Sequence, residues 1–287
     1  MSQQDSATTQ PGAAMNPPVL STIALSLEHG VVEVRLDRPD KSNAMNDAMW
    51  REIREAFAWV DATPAVRVAI LSGAGRNFCA GIDLSLLAGI PQRIAHADRA
   101  RSSEALRRLI LDLQDCLSSI ERCRKPVIAA IQGACIGGAL DLVTSCDLRY
   151  AAADAVFSVR EIDVGMVADV GTLQRLPRLI PEGVARELAF TGRNVRADEA
   201  ERLGLVNRVF DSESALTAGV RELALAIAGK SPLAVRGTKE VLNYSREHPV
   251  ADGLNFVATW NAAMLLSADL EEALKAQREK RAPNFPD

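Results

Sequence analysis

Apolar residues cluster or alternate along Ile23–Leu27 and Val31–Leu36, and the two runs flank His29-Gly30. That arrangement predicts a hairpin that ends at the Asp37–Asp40 turn. The period then changes. Met49, Ile53, Phe57 and Val60 fall on one helical face behind Asn46, whose side chain can cap the first turn. Val66–Leu71 is a continuous apolar run of strand length, and the polar, glycine-containing stretch 72–77 follows it as a loop. Residues 89–102 mix Pro, His, Asp and Arg without periodicity, so this stretch reads as a mobile loop or a ragged helix start. Leu106, Leu109, Ile110, Leu113, Leu117 and Ile120 predict a long helix over 103–123, stopped by Lys125-Pro126.

Val127–Ile131 is the next buried strand and runs into Gly133. A helix is expected to open near Gly138, and strands follow at Leu148–Ala151 and Val156–Ser158. Strand, crossover and strand in this order predict an α/β fold with parallel strands and right-handed connections. Beyond residue 171 the pattern reads as almost entirely helical, with starts at Pro181 and Ser231-Pro232 and breaks at Gly171, Gly192, Gly204 and Gly229. Trp260 and the run Ala262–Leu266 are apolar enough to require a partner surface. No internal repeat of 20–50 residues is visible.

Composition narrows the class. The chain has 287 residues, 48% hydrophobic and 24% charged, which is globular usage and leaves room for a sizeable core. Only the first 18 or so residues, rich in Ser, Thr, Gln, Ala and Pro, read as a disordered tail, and they lack the apolar run of a signal peptide. With 33 Lys+Arg against 37 Asp+Glu the net charge is -4, and no basic stripe points to nucleic acid. No apolar stretch reaches membrane-spanning length. The five cysteines, Cys79, Cys116, Cys123, Cys135 and Cys146, form neither a CxxC pair nor a disulfide framework, which is the usage expected in a reducing cytosol. The final residues, Asn284–Asp287, are not a peroxisomal SKL-type address.

Candidate chemistry concentrates in two glycine turns and three acids. Cys79-Ala-Gly-Ile-Asp83 and Gly133-Ala-Cys-Ile-Gly-Gly138 each follow a short apolar strand and precede a helix. Gly81 permits a backbone that leaves the Ile82 N–H free, and Gly138 stands where the first N–H groups of a helix have no internal partner. Brought together, two such donors form an oxyanion hole, whereas either turn alone does no more than reverse the chain. Asp141, on the first turn of the helix, is equally explained by the helix dipole, and Glu161 by a surface ion pair with Arg160. Asp169 is the least ordinary, an acid in an apolar, glycine-flanked run without an adjacent base, where desolvation favours its protonated form. Asp83 and Asp163 read as turn caps, and Cys79 as a small buried hydrophobe. His29, His96 and His248 share no metal-type spacing, so no metal site is assigned. Neither turn is a phosphate-binding fingerprint.

The two turns, read as Phe78-Cys-Ala-Gly-Ile-Asp-Leu84 and Gly133-Ala-Cys-Ile-Gly-Gly-Ala139, resemble those of the crotonase, or enoyl-CoA hydratase/isomerase, superfamily, over roughly residues 22–280. Three further runs, Glu121-Arg-Cys-Arg-Lys-Pro-Val-Ile-Ala-Ala130, Asp141-Leu-Val-Thr-Ser-Cys-Asp147 and Asp163-Val-Gly-Met-Val-Ala-Asp-Val-Gly-Thr-Leu-Gln-Arg-Leu-Pro177, are most similar to its dienoyl-CoA isomerase branch. Val257-Ala-Thr-Trp-Asn261 adds a weaker match.

The resemblance implies a spiral of ββα turns over 19–210 carrying an acyl-CoA site, and a helical trimerisation region over 211–287. It implies that the Ile82 and Gly138 amides hold a thioester oxygen and that Asp141, Glu161 and Asp169 are the acids. Ala44, Ala80, Gly81, Asp83, Leu84 and Ala139 would line the substrate. The implied reaction is a 3,5- to 2,4-dienoyl-CoA shift in fatty acid β-oxidation, with a homotrimer or homohexamer as the assembly. No cofactor is implied beyond the coenzyme A that the substrate carries. Ordinary hydratases of the family have glutamate at the positions of both Asp141 and Glu161 and no acid at Asp169. Ala139 departs from the third glycine of many relatives. Hydration of a 2-enoyl-CoA and a Δ3,Δ2 shift remain the alternatives, and an RNA-binding module on the same fold is a remote one.

Overall fold

The computed structural model describes residues 16–286, so most of the expected tail lies outside the described residues. Ile23–Glu28 (β1) and Val31–Leu36 (β2) form the expected hairpin, with Ile23 opposite Leu36 and Glu28 opposite Val31. His29 (φ 51°) and Gly30 (φ 77°) make its two-residue turn, the left-handed pair that suits strand twist. Asn46 caps Asp47–Ala62 (α1), its side chain accepting from the Met49 N–H at 3.0 Å. Val68–Gly73 (β3) follows. The unperiodic stretch resolves into the end of one helix, Leu84–Arg93 (α2), and the start of another, Arg99–Arg122 (α3). Pro91 inside α2 and the Asp98 cap of α3 account for the missing period.

Val127–Ile131 (β4), Ala134–Ile136 (β5), Gly138–Thr144 (α4), Leu148–Ala152 (β6) and Val156–Ser158 (β7) come next. The remainder comprises Thr172–Arg175 (α5), Glu182–Thr191 (α6), Val195–Arg196 (β8), Ala197–Leu203 (α7), Arg208–Phe210 (β9), Glu213–Ala228 (α8), Pro232–Ser245 (α9), Val250–Met264 (α10) and Ala268–Glu279 (α11). The expectation of an almost wholly helical second half is therefore corrected by β8 and β9. Two or three residues long, they are too short to show a period, and they exist because a neighbouring strand is there to pair with.

The strands form two ladders. The long one runs β1-β2-β3-β4-β6-β9 and is parallel from β2 onward, while β5-β7-β8 forms a second. Two isolated parallel bridges, Met45 with Ile82 and Cys79 with Cys135, add segments to the second ladder. Each turn of chain thus lays one strand in the long sheet and one short segment in the second layer before the next helix, as in the expected spiral. Parallel strands are covered on both faces. Val32, Val34 and Leu36 pack with Trp50, Ile53, Phe57, Leu117 and Ile120 of α1 and α3, whereas Val31, Val68, Ile70 and Ile128 pack with Leu216, Val220 and Ala224 of α8. Phe57, Phe78 and Phe157 are fully buried, each worth roughly 1.5–3 kcal/mol of burial. Trp260 finds its partner at Gly237, where a side chain would lie 2.4 Å from the indole Nε1, but Leu266 stays 93% exposed.

Candidate active site

The second ladder brings the two glycine turns together. Met45 N donates to Gly81 O at 2.8 Å and Asp83 N to Met45 O at 3.0 Å, so the Ile82 N–H faces the other way. The Gly81 backbone (φ 94°) comes so close to the next turn that a methyl group there would lie 2.5 Å from Ile136 O and 3.3 Å from Gly138 N. Only glycine fits. Gly137 then opens α4, its N–H donating to Ser158 O at 2.9 Å, and leaves Gly138 as the first helical residue. A methyl group on Gly138 would lie 3.6 Å from Ile82 N. Among the described residues neither the Ile82 nor the Gly138 N–H has an acceptor, so two unpaired donors border one small space.

One acid lies on α4 and two on the segment between β7 and α5. Asp141 is 0% exposed, on the first turn of α4, and its Oδ1 accepts the Thr172 N–H at 2.5 Å while Oδ2 has no partner. Glu161 opens a single 3-10 turn, Glu161–Val164, and its Oε1 lies 3.2 Å from where a side chain on Gly137 would begin. Its Oε2 is likewise buried and unpartnered. Burial is the largest cause that raises both carboxyls, Asp141 to about 6 and Glu161 to about 7, and the charge of Asp141 raises Glu161 further. Asp169 is half-buried and raised by desolvation, and its carbonyl accepts from Gln114 Nε2 of α3 at 2.6 Å. The alternative of an Arg160–Glu161 pair is not observed, since Arg160 turns to Asp163 (3.1 Å) and Asn194 (2.6 Å).

The other sequence-identified positions separate. Ala44, with Ala80, Gly81 and Leu84, flanks the Ile82 segment, and Leu84 is 68% exposed. Ala139, by contrast, is wholly buried in the core. Asp83 is a cap and a clamp: Oδ1 accepts from Ser85 N at 3.1 Å and Oδ2 pairs with Arg38 at 3.1 Å. Arg38, which the sequence reading overlooked, also donates to Ala44 O, tying the loop before α1 to the Ile82 turn. Trp50 was overlooked too. Its buried Nε1 has no partner, and its ring reaches to 3.9 Å from where a Gly138 side chain would start. The only signal for either residue is proximity across the ladder, which one sequence does not print.

Among the described residues no group of three His, Cys, Asp or Glu could hold a metal, and no helix is long and apolar enough to cross a membrane.

Comparison with known proteins fixes the lineage. The family model described as enoyl-CoA hydratase/isomerase matches residues 26–287. The chain is 51% identical to the peroxisomal Delta(3,5)-Delta(2,4)-dienoyl-CoA isomerase of Arabidopsis thaliana, over 93% of this chain and 96% of that one. It is 46% identical to the mitochondrial Delta(3,5)-Delta(2,4)-dienoyl-CoA isomerase of Homo sapiens, over 97% and 85%. A crystal structure of enoyl-CoA hydratase from Bacillus anthracis superposes with a TM-score of 0.84 at 32% identity, over 93% of this chain and 99% of that one. These relatives overturn the cytosolic expectation, because they are named for the peroxisome and the mitochondrion. The cysteine argument fails for a physical reason: all five thiols are buried, so their free state reports packing and not compartment. With the spiral, the two glycine turns and these identities in agreement, the chain belongs to the enoyl-CoA hydratase/isomerase family.

Proposed function

We propose that this protein is an isomerase that converts 3,5-dienoyl-CoA to 2,4-dienoyl-CoA. The observation that carries the reading is a third acid: Asp169 stands beside the buried Asp141–Glu161 pair, in a chain 46–51% identical to two proteins named for that reaction. The Ile82 and Gly138 N–H groups receive the thioester oxygen. Glu161 removes a proton from C2, and the resulting dienolate carries its charge largely on that oxygen, where each amide is worth roughly 2.7–4 kcal/mol to the transition state. Asp169 then protonates C6, which leaves double bonds at C2 and C4. C2 and C6 are too far apart for one short carboxylate, so the reaction uses two.

The raised carboxyls suit these roles. Glu161, lifted to about 7, is a stronger base than a solvated glutamate, and desolvation keeps Asp169 able to give a proton. Asp141, fixed by Thr172, orients and polarises the site. Each turnover leaves Glu161 protonated and Asp169 ionised, so the pair resets before the next. Coenzyme A comes with the substrate and lies along 40–45 and 80–84. Trimers or hexamers form through the C-terminal helices, where exposed Val250 and Leu254 of α10 and Leu266 of the turn after it favour burial against copies of the chain.

The test is absorbance of the conjugated product when purified protein meets 3,5-octadienoyl-CoA, with a 2-enoyl-CoA in parallel. Conjugation of the first at rates well above hydration of the second is expected. Hydration alone would favour the alternative reading.

A further inference from the structure

Outside the two turns and the three acids, a largely buried cation touches the same loop. Arg175 ends α5, the single turn whose first N–H, that of Thr172, binds Asp141. Its guanidinium lies against the bare Cα of Gly171, where a side chain would begin 1.8 Å from Nη1. Gly171 has φ 133°, a conformation that glycine alone adopts readily, so this seat exists because no Cβ is there. From the far side Glu121 of α3 receives Nε (3.2 Å) and Nη2 (2.9 Å) on Oε2, and Ser118 Oγ lies 3.2 Å from Nη2. The Arg175 side chain is 13% exposed. α3 thus grips the acid-bearing loop twice, through Gln114 on Asp169 O and through Glu121 on Arg175.

We propose that Arg175 is a positioning residue of the isomerase: seated on Gly171 and held by Glu121, it fixes the loop of Asp169 and Thr172 and supplies the positive charge facing Asp141. The inference rests on the proposed isomerase reading.

The charges around it are few. α4 presents Asp141, with the Cys146 thiol behind it, which burial pushes up to about 12 and so keeps neutral. α3 presents Glu121, whose other oxygen pairs with Arg246 at the end of α9, and Arg178 faces Glu247. Asp169 and Glu161 complete the acid side. Glu121 is held low, against the effect of its burial, by Arg175 and Arg246, so it stays ionised and its charge is shared between two arginines. The charge of Arg175 favours the ionised form of Asp141.

The experiment compares kcat/KM against pH for the full-length protein and its Arg175→Met and Arg175→Lys variants on 3,5-octadienoyl-CoA. Loss of the cation makes Asp141 hold its proton to higher pH, so Arg175→Met is expected to move the part of the acid limb that reports Asp141 upward by on the order of one pH unit. Arg175→Lys keeps the charge but not the planar fork, so its limb stays in place while kcat falls about tenfold. An Arg175→Met limb that coincides with that of the parent protein overturns the proposal. If that variant does not fold, Glu121→Gln decides. Loosening the guanidinium without changing side-chain volume is expected to lower kcat about tenfold with KM little changed, and an unchanged kcat overturns the proposal. A parent protein that does not turn over the dienoyl thioester would instead sink the isomerase reading itself.

Discussion

Replacing Gly138 by alanine separates the proposed oxyanion site from the fold that builds it. Gly138 is buried and has no left-handed backbone, so alanine is conformationally acceptable there. The added methyl meets Met45 Cε at 2.8 Å, Ile82 N at 3.6 Å and Trp50 Cζ2 at 3.9 Å. Only the first is a clash, and it involves the flexible tip of a methionine, so overpacking costs about 1 kcal/mol, at the low end of its usual range. The thermal midpoint should fall by a few degrees. Catalysis should suffer far more. An oxygen held about 2.9 Å from both amide nitrogens shares the space the methyl enters, and losing even one donor lowers kcat about 10²–10³-fold. The assay is initial rate on 3,5-octadienoyl-CoA beside a melt by circular dichroism. A folded Gly138→Ala protein that turns over within tenfold of the parent would refute the assignment of these amides. Gly81→Ala cannot serve in its place, because there, at a left-handed φ of 94°, the methyl meets the Ile136 carbonyl at 2.5 Å and the backbone that aims the donors has to move.

Asp169→Asn should reduce isomerisation by roughly 10²–10⁴-fold. Exchange of the C2 proton with deuterated water, followed by mass spectrometry, should survive in that variant and vanish in Glu161→Gln. The opposite pattern would reverse the two roles. Burial makes Asp141 titrate higher in the folded chain than an ordinary aspartate, at about 6, so the folded state holds this proton more tightly and loses stability as pH rises from about 4 through about 6. Asp141→Asn should therefore raise the melting temperature at pH 8 and leave it nearly unchanged at pH 4. An equal effect at both would mean the carboxyl is not destabilised by burial. Lys239 of α9, 6% exposed, donates to Asp147 Oδ2 at 2.7 Å and to Lys125 O at 3.1 Å. Its replacement by Met should cost roughly 2 kcal/mol in urea denaturation, because Asp147, partly exposed, loses its charged partner and keeps only the Val127 N–H; a loss below about 0.5 kcal/mol would contradict that.

The elements legible in the sequence were those with a strong local signal. β2, β4 and β7 fall on the residues expected, because β-branched or continuous apolar runs bounded by turns admit little else. The α1 start at Asn46 was likewise readable from its cap. β5, β8 and β9 were not: two or three residues long and set among glycines or charged residues, without the flanking apolar positions that mark the equally short β7, they owe their conformation to a partner strand. The same division holds at the site. Asp169 stood out because an acid without a base in an apolar run is unusual, whereas its approach to Asp141 depends on how α4, α5 and the 161–171 loop pack. Arg175 was overlooked because its neighbours Gly171 and Glu121 lie 4 and 54 residues away, and only the first left a trace, as a glycine one turn earlier.

The two unpaired amides belong to the main chain, while the acids are side chains on other segments. Mutation can therefore exchange a carboxyl for another group without dismantling the place where a carbonyl is polarised, and only a change of backbone course would erase that place. A lineage built this way can acquire new proton-transfer steps by single substitutions around a fixed electrophile-binding pair. Its least replaceable positions should be glycines, chosen for the room they leave and not for any group they carry.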